Sequence, residues 1–211
     1  MEKILKLMDK LKKHKLREQW KIWCKRKKNL KDRERIMIEA ILTQRTNWRN
    51  VEKAMKNLEK ARVYLKEIKE IGNKNIEKIY PLIKPCGFYK RKAEYLYNLS
   101  KFFSSFDFDV KKMMKENTQV LRKNLLKIKG IGKETADSIL LYALDKPIFV
   151  VDEYTRRLVK DFAKKHKMKI PLSYEKLRKL FEENLEKNFR VYQDVHAMIV
   201  IYGKNKMKNI K

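Results

Sequence analysis

Asp152 and the turn that precedes it by twenty residues carry the plainest chemical potential in this chain. The turn reads "KGIGKE": Gly130 and Gly132 stand two apart, followed at once by Lys133 and Glu134. Without a Cβ, a glycine lets backbone N–H groups come close to a phosphate, and a helix N-terminus directly behind adds a positive dipole end. Such a turn grips a nucleic-acid backbone without reading its sequence. Asp152 opens the apolar-periodic segment "DEYTRRLVKDFAKKH", where aspartate is among the best N-caps. The same position keeps a carboxylate ionised and aimed, which suits stabilising a developing positive charge or orienting a water. The two roles are compatible. Trp20, Trp23 and Trp48 offer flat apolar faces, for core packing or for stacking on a ring.

The composition narrows the partner. Of 211 residues, 55 are Lys or Arg and 26 Asp or Glu, a formal net charge of +29. That imbalance repels itself in the compact state and draws polyanions, nucleic acid first, with a membrane surface or an acidic protein behind it. A Lys-rich chain can also reflect high-temperature life. The hydrophobic fraction of 43% argues against disorder. Cys24 and Cys86 are too few and too far apart to suggest a metal site, and they fit a reducing cytoplasm. No apolar run is long enough to span a membrane. The basic amphipathic start "MEKILKLMDKLKKHK" reads as a helix packed on the protein body.

Positioning elements follow from apolar residues at helical spacing, with few glycines and prolines to interrupt them. The pattern predicts an all-α fold. A helix ends in the polar patch "TQRTN"; a second, from Val51 through Leu58, is expected to close at Ile71 and Gly72 on a left-handed glycine cap. A break at 85–87 precedes a helix carrying Ala93, Leu96 and Phe103. "TQVLRKNLLKI" leads into the glycine turn and "ETADSILLYAL" leaves it. "IFVV" at 148–151 reads as extended, and two last helices run over 173–185 and 192–202. His196 reads as a packed or hydrogen-bonded core residue.

Taken jointly, these motifs resemble a known family. "LLKIKGIGKETADSILLYALDKPIFVVDEYTRRLV" resembles the endonuclease III-like, HhH-GPD superfamily of DNA glycosylases: a helix-hairpin-helix, an extended apolar run, then Val-Asp and a helix carrying Arg. "ILTQRTNW" is similar to its early helix end with a glutamine, here Gln44. "IKPCGFYKRKAEYLYNLS" is similar to its GxxxxKA segment, and "DVHAMIVIYGK" to its C-terminal helix. The resemblance covers roughly residues 30 to 204.

Two departures sharpen it. Bifunctional members carry a nucleophilic lysine two residues after the second hairpin glycine, where this chain has Glu134; Lys133 is one residue away, about 100° round a helix. Endonuclease III continues past its last helix into a four-cysteine iron–sulfur loop, whereas this sequence reads "YGKNKMKNIK". Both departures resemble the 3-methyladenine DNA glycosylase branch without the cluster.

The resemblance implies a six-helix barrel over 36–146 containing the hairpin, and a second helical domain from 1–35 and 147–211. It implies a monomer that hydrolyses the N-glycosidic bond of alkylated purines flipped from double-stranded DNA, in the cytoplasm with the nucleoid. Asp152 and Glu134 would stand at the mouth of a cleft. Trp48, Trp20 and Trp23 would wall the base pocket; Gln44 and Phe88 would fill the gap in the duplex; Gly130, Gly132 and Lys133 would hold phosphate. Glu134 fits a hydrogen bond to base or water, or a helix cap. No cofactor, metal or iron–sulfur cluster is required, with room for a structural monovalent cation on hairpin carbonyls. The alternatives are a bifunctional glycosylase and AP lyase for oxidised bases, and a non-enzymatic helix-hairpin-helix DNA-binding module. Lys204 matches the end of the family's last helix without an assigned role.

Overall fold

The computed structural model describes residues 18–167, 169 and 173–208, with side chains over 20–205. The amphipathic N-terminal segment read from the sequence lies outside the described residues. Those residues are helical, with no β-strand among them. The chain divides into two compact units: residues 27–144, and the described residues up to Arg26 together with those from Asp145 onward. The first cut falls before helix Leu30–Leu42, which runs unbroken through the 35/36 boundary drawn from sequence.

The 27–144 unit is built around that helix. With α1 at Glu18–Trp23 in the other unit, Leu30–Leu42 is α2. Ile36, Met37, Ile38, Ala40, Ile41 and Leu42 are all buried, and Glu39 among them is buried too, paired with Arg35 Nε at 2.8 Å. Asn29 and Asp32 close a capping box at its start. Then follow α3 (Trp48–Lys60), α4 (Leu65–Asn75), the short α5 (Tyr80–Ile83) between two 3₁₀ turns, α6 (Tyr89–Ser104), α7 (Val110–Lys115) and α8 (Thr118–Leu126). Last comes α9 (Lys133–Ser138), which widens into a π turn over Ile139–Ala143.

One expected helix is two. The stretch from Val51 breaks after Lys60, where Arg62 takes a left-handed conformation at φ 54°. Gly72 does not cap anything: it lies inside α4, and its φ is not positive. Its reason is packing. A Cβ there would sit 2.4 Å from the Tyr97 ring of α6.

The second unit holds α10 (Glu153–Lys165), α11 (Tyr174–Asn184) and α12 (Phe189–Lys208), the last extending past the 192–202 expectation. "IFVV" is buried at 0–1% exposure and pairs with no strand. Side chains take two of its N–H groups, Phe149 N donating to Glu182 Oε1 at 2.9 Å and Val151 N to Tyr174 Oη at 3.5 Å, while Ile148 N donates to Lys146 O at 2.8 Å. Phe149 stacks on Phe181 at 4.3 Å and meets Tyr192 edge-on at 5.8 Å. That aromatic core fixes where the next residues, Val151 and Asp152, enter α10.

Candidate nucleic-acid interface and active site

In the 27–144 unit, α8 and α9 form the hairpin around the turn at 127–132. A buried bidentate pair locks the two helices, Arg122 Nε to Asp137 Oδ1 at 2.6 Å and Arg122 Nη2 to Oδ2 at 3.0 Å. The two glycines of the turn differ. Gly130 has φ +95°, and a Cβ there would lie 2.1 Å from the Tyr95 ring, so the fold demands glycine twice over. Gly132 has φ −85°, and a Cβ there would meet nothing within 4 Å. The fold has no need of glycine at 132. Its bareness leaves room for an outside group to approach the backbone at the start of α9, where Gly132 is the N-cap and offers no capping side chain.

Gln44, two residues past the end of α2, donates its amide N–H groups to Gly130 O and to Thr135 Oγ1, both at 3.0 Å. It thereby ties the "TQR" turn to the hairpin. Around this joint lies a cleft of about 650 Å³, lined by Gln44, Phe88, Gly130, Gly132 and Glu134 among the residues named from sequence. Arg45, Arg91 and Tyr95 line it too. Phe88 is 60% exposed, and Gly87 and Phe88 take consecutive positive φ angles, 64° and 47°. A non-glycine residue held there is mildly strained, and its apolar ring stands outside the core. Lys133, the first residue of α9, is exposed and does not line the cleft; Trp48, the first residue of α3, is part-exposed and does not line it either.

Asp152 belongs to the other unit and is the N-cap of α10. Its Oδ1 accepts from Thr155 N at 2.7 Å and Thr155 Oγ1 at 2.9 Å. The other oxygen, Oδ2, lies 3.6 Å from His196 Nε2. Only 9% of Asp152 is exposed. Burial pushes its carboxyl up, but the His196 contact and charge and the two Thr155 donors outweigh that and hold it below the usual carboxylate range. Trp20 and Trp23 are buried in this unit, 6.0 Å apart edge to face, and Trp20 meets His196 edge-on at 6.0 Å. Both indoles are therefore core residues of the unit that holds Asp152.

Sequence reasoning placed His196 in a core and missed its partner, since 44 residues separate it from Asp152. Arg45, Arg91 and Tyr95 were missed as well. The interleaved bases and aromatic of "YKRKAEY" were the available signal. Among the described residues no three His, Cys, Asp or Glu side chains gather as a metal site. The hairpin carbonyls of Ile128, Lys129, Gly130 and Gly132 each already accept a hydrogen bond, from Ile131 N, Asn98 Nδ2, Gln44 Nε2 and Ala136 N. Each keeps a second lone pair, which a monovalent cation could share.

A protein of Methanocaldococcus jannaschii whose name assigns it to the DNA repair glycosylases is 44% identical over 174 residues, 82% of this chain and 77% of that one. The endonuclease III of Thermotoga maritima is 34% identical over 124 residues, 59% of this chain and 54% of its own. Among solved structures, the H. pylori 3-methyladenine DNA glycosylase MagIII, bound to 1,N6-ethenoadenine, superposes with a TM-score of 0.74 at 29% identity, covering 97% of this chain and 95% of that one. Residues 38–187 match the profile of HhH-GPD superfamily base excision DNA repair proteins, and the chain belongs to that superfamily of DNA glycosylases.

Proposed function

We propose that this glycosylase is monofunctional and hydrolyses the N-glycosidic bond of alkylated purines of the 3-methyladenine kind, flipped out of double-stranded DNA. The observation that carries the reading is Glu134. The cleft is lined, two residues after Gly132, by a carboxylate and not by the amine that a Schiff base needs. The likeness to the H. pylori enzyme supports the substrate class. Lys92 also lines the cleft, but it is 2% exposed and its ammonium donates to two backbone carbonyls, which speaks against it as a nucleophile.

The working steps follow from the side chains. A stacked base is out of reach, so it must leave the duplex, at a cost of a few kcal/mol. Phe88 fills the space vacated, and the Gly132 end of α9 with Lys133 holds a phosphate. A 3-methylated adenine is already cationic and leaves readily, so the enzyme needs little acid catalysis and benefits from aromatic walls. As the bond loosens the sugar gains positive charge; Asp152, kept ionised, stabilises it and orients the attacking water. The cleft's Arg45 and Arg91, and a net charge of +29, favour a polyanion; binding weakens steeply as salt rises. A monovalent cation on the hairpin carbonyls would add positive charge beside that phosphate, and no step depends on it.

Two assays test the reading. On a panel of duplexes carrying single lesions, 3-methyladenine is released faster than uracil, mismatched thymine or oxidised bases. On abasic-site DNA with borohydride, no covalent adduct forms. A trapped adduct would establish the bifunctional alternative; no base release from any duplex would leave a DNA-binding module.

A further inference from the structure

Lys92 is the lysine of the GxxxxKA segment and one of the largest fully buried side chains in the molecule. Its ammonium donates to Leu42 O and to Cys86 O, each at 2.8 Å. Both acceptors have a meaning in the chain. Leu42 O is among the last carbonyls of α2, which lack an intrahelical partner, and a cation there also meets the negative end of the helix dipole. Cys86 O ends the 3₁₀ turn directly before the two left-handed residues Gly87 and Phe88. Each anchor therefore sits two residues ahead of a cleft-lining side chain: Leu42 ahead of Gln44, Cys86 ahead of Phe88. Phe88 is also the N-cap of α6, and the N–H of Lys92 donates to Phe88 O at 3.0 Å as the first bond of that helix. From Gln44 the chain of bonds continues to Gly130 O and Thr135 Oγ1. The exposed ring, the buried ammonium, the end of α2 and the hairpin are thus one connected network.

We propose that Lys92 is a positioning residue that sets the register between the Phe88 turn and the phosphate-gripping hairpin, so that gripping the strand and opening the duplex happen at one fixed spacing. A simpler filler would serve if only volume were needed. Burial pulls the Lys92 ammonium below the usual lysine range, a desolvation cost that a methionine would avoid. An ammonium can hold two carbonyls from separate segments at once, and a thioether cannot.

The proposal rests on the reading of Phe88 as the residue entering the duplex, and its test does not require base release. A duplex with a stable abasic analogue and 2-aminopurine beside it reports opening as fluorescence when the native chain, Phe88→Ala, Lys92→Met and the double variant bind. Phe88→Ala and Lys92→Met are each expected to lower the opening constant about tenfold, with the double variant within about threefold of the weaker single, as residues acting through one network do. Thermal unfolding checks each variant, and Lys92→Gln, which keeps two N–H donors, repeats the cycle with an intermediate loss. Penalties that multiply, or a Lys92→Met protein that opens DNA like the native one, overturn the proposal. An unchanged Phe88→Ala overturns it through its premise. A native protein that opens the duplex yet releases no base overturns the glycosylase reading alone.

Discussion

Two helices in this protein begin with opposite solutions to the same problem. The N-terminus of any helix presents N–H groups without intrahelical partners. At α10 the cap is Asp152, whose Oδ1 takes Thr155 N and Oγ1 and is nearly buried with them. At α9 the cap is Gly132, which brings no side chain and stands exposed with open space where a Cβ would be. One terminus consumes its own positive end to orient a carboxylate. The other keeps its positive end facing outward. In the proposed function the two divide the work: the first supplies a fixed negative charge for the chemistry and the second a bare positive backbone for the phosphate. The contrast turns on which residue sits at the cap.

The largest effect should come from removing the negative charge without removing the cap. Asn caps as well as Asp but gives up what the ionised carboxyl adds to stability, so Asp152→Asn should lower the thermal midpoint modestly while the chain stays folded, and single-turnover release of 3-methyladenine should fall about 10²–10³-fold. Release at the native rate would break the assignment of Asp152 as the catalytic group.

The hairpin glycines should then separate fold from function. Gly130→Ala forces a Cβ onto the Tyr95 ring at a positive φ, and should destabilise by about 2–4 kcal/mol in denaturant unfolding. Gly132→Ala meets no protein atom; it should unfold within about 1 kcal/mol of the native chain yet bind abasic duplex about tenfold more weakly. Equal effects on stability at the two positions would erase the distinction.

The smallest effect concerns pH. Asp152 has its folded carboxyl below its ordinary value near 3.8, so it contributes stability above that value, lost as pH falls through the lowered one. His196 from α12 and Tyr154 beside it on α10 are the titratable groups that interact with it. Replacing His196 by Gln removes the contact that opposes burial. The acid limb of the rate profile should therefore move to higher pH, costing a few-fold at mildly acid pH and little at neutrality. An unmoved limb would separate His196 from the working carboxylate.

How much of this was legible beforehand divides along sequence distance. The hairpin, the N-cap at Asp152 and the helix over 173–185 were readable because caps, glycine turns and apolar periodicity are written within a few neighbouring residues. Gly72 misled for the same reason. Glycine near a helix end suggests a cap, and only the Tyr97 ring of another helix reveals that it serves packing.

The amino-acid sequence by itself determined that this chain is helical, basic and built on a glycine hairpin with an aspartate twenty residues on, since each is a local property of the chain. Tertiary structure alone decided that Gln44 clasps Gly130 across 86 residues, that His196 faces Asp152, and that Lys92 joins two turns. Hydrogen bonds and buried charges depend on distances through space, and residues far apart along a chain acquire those only when the core closes around them.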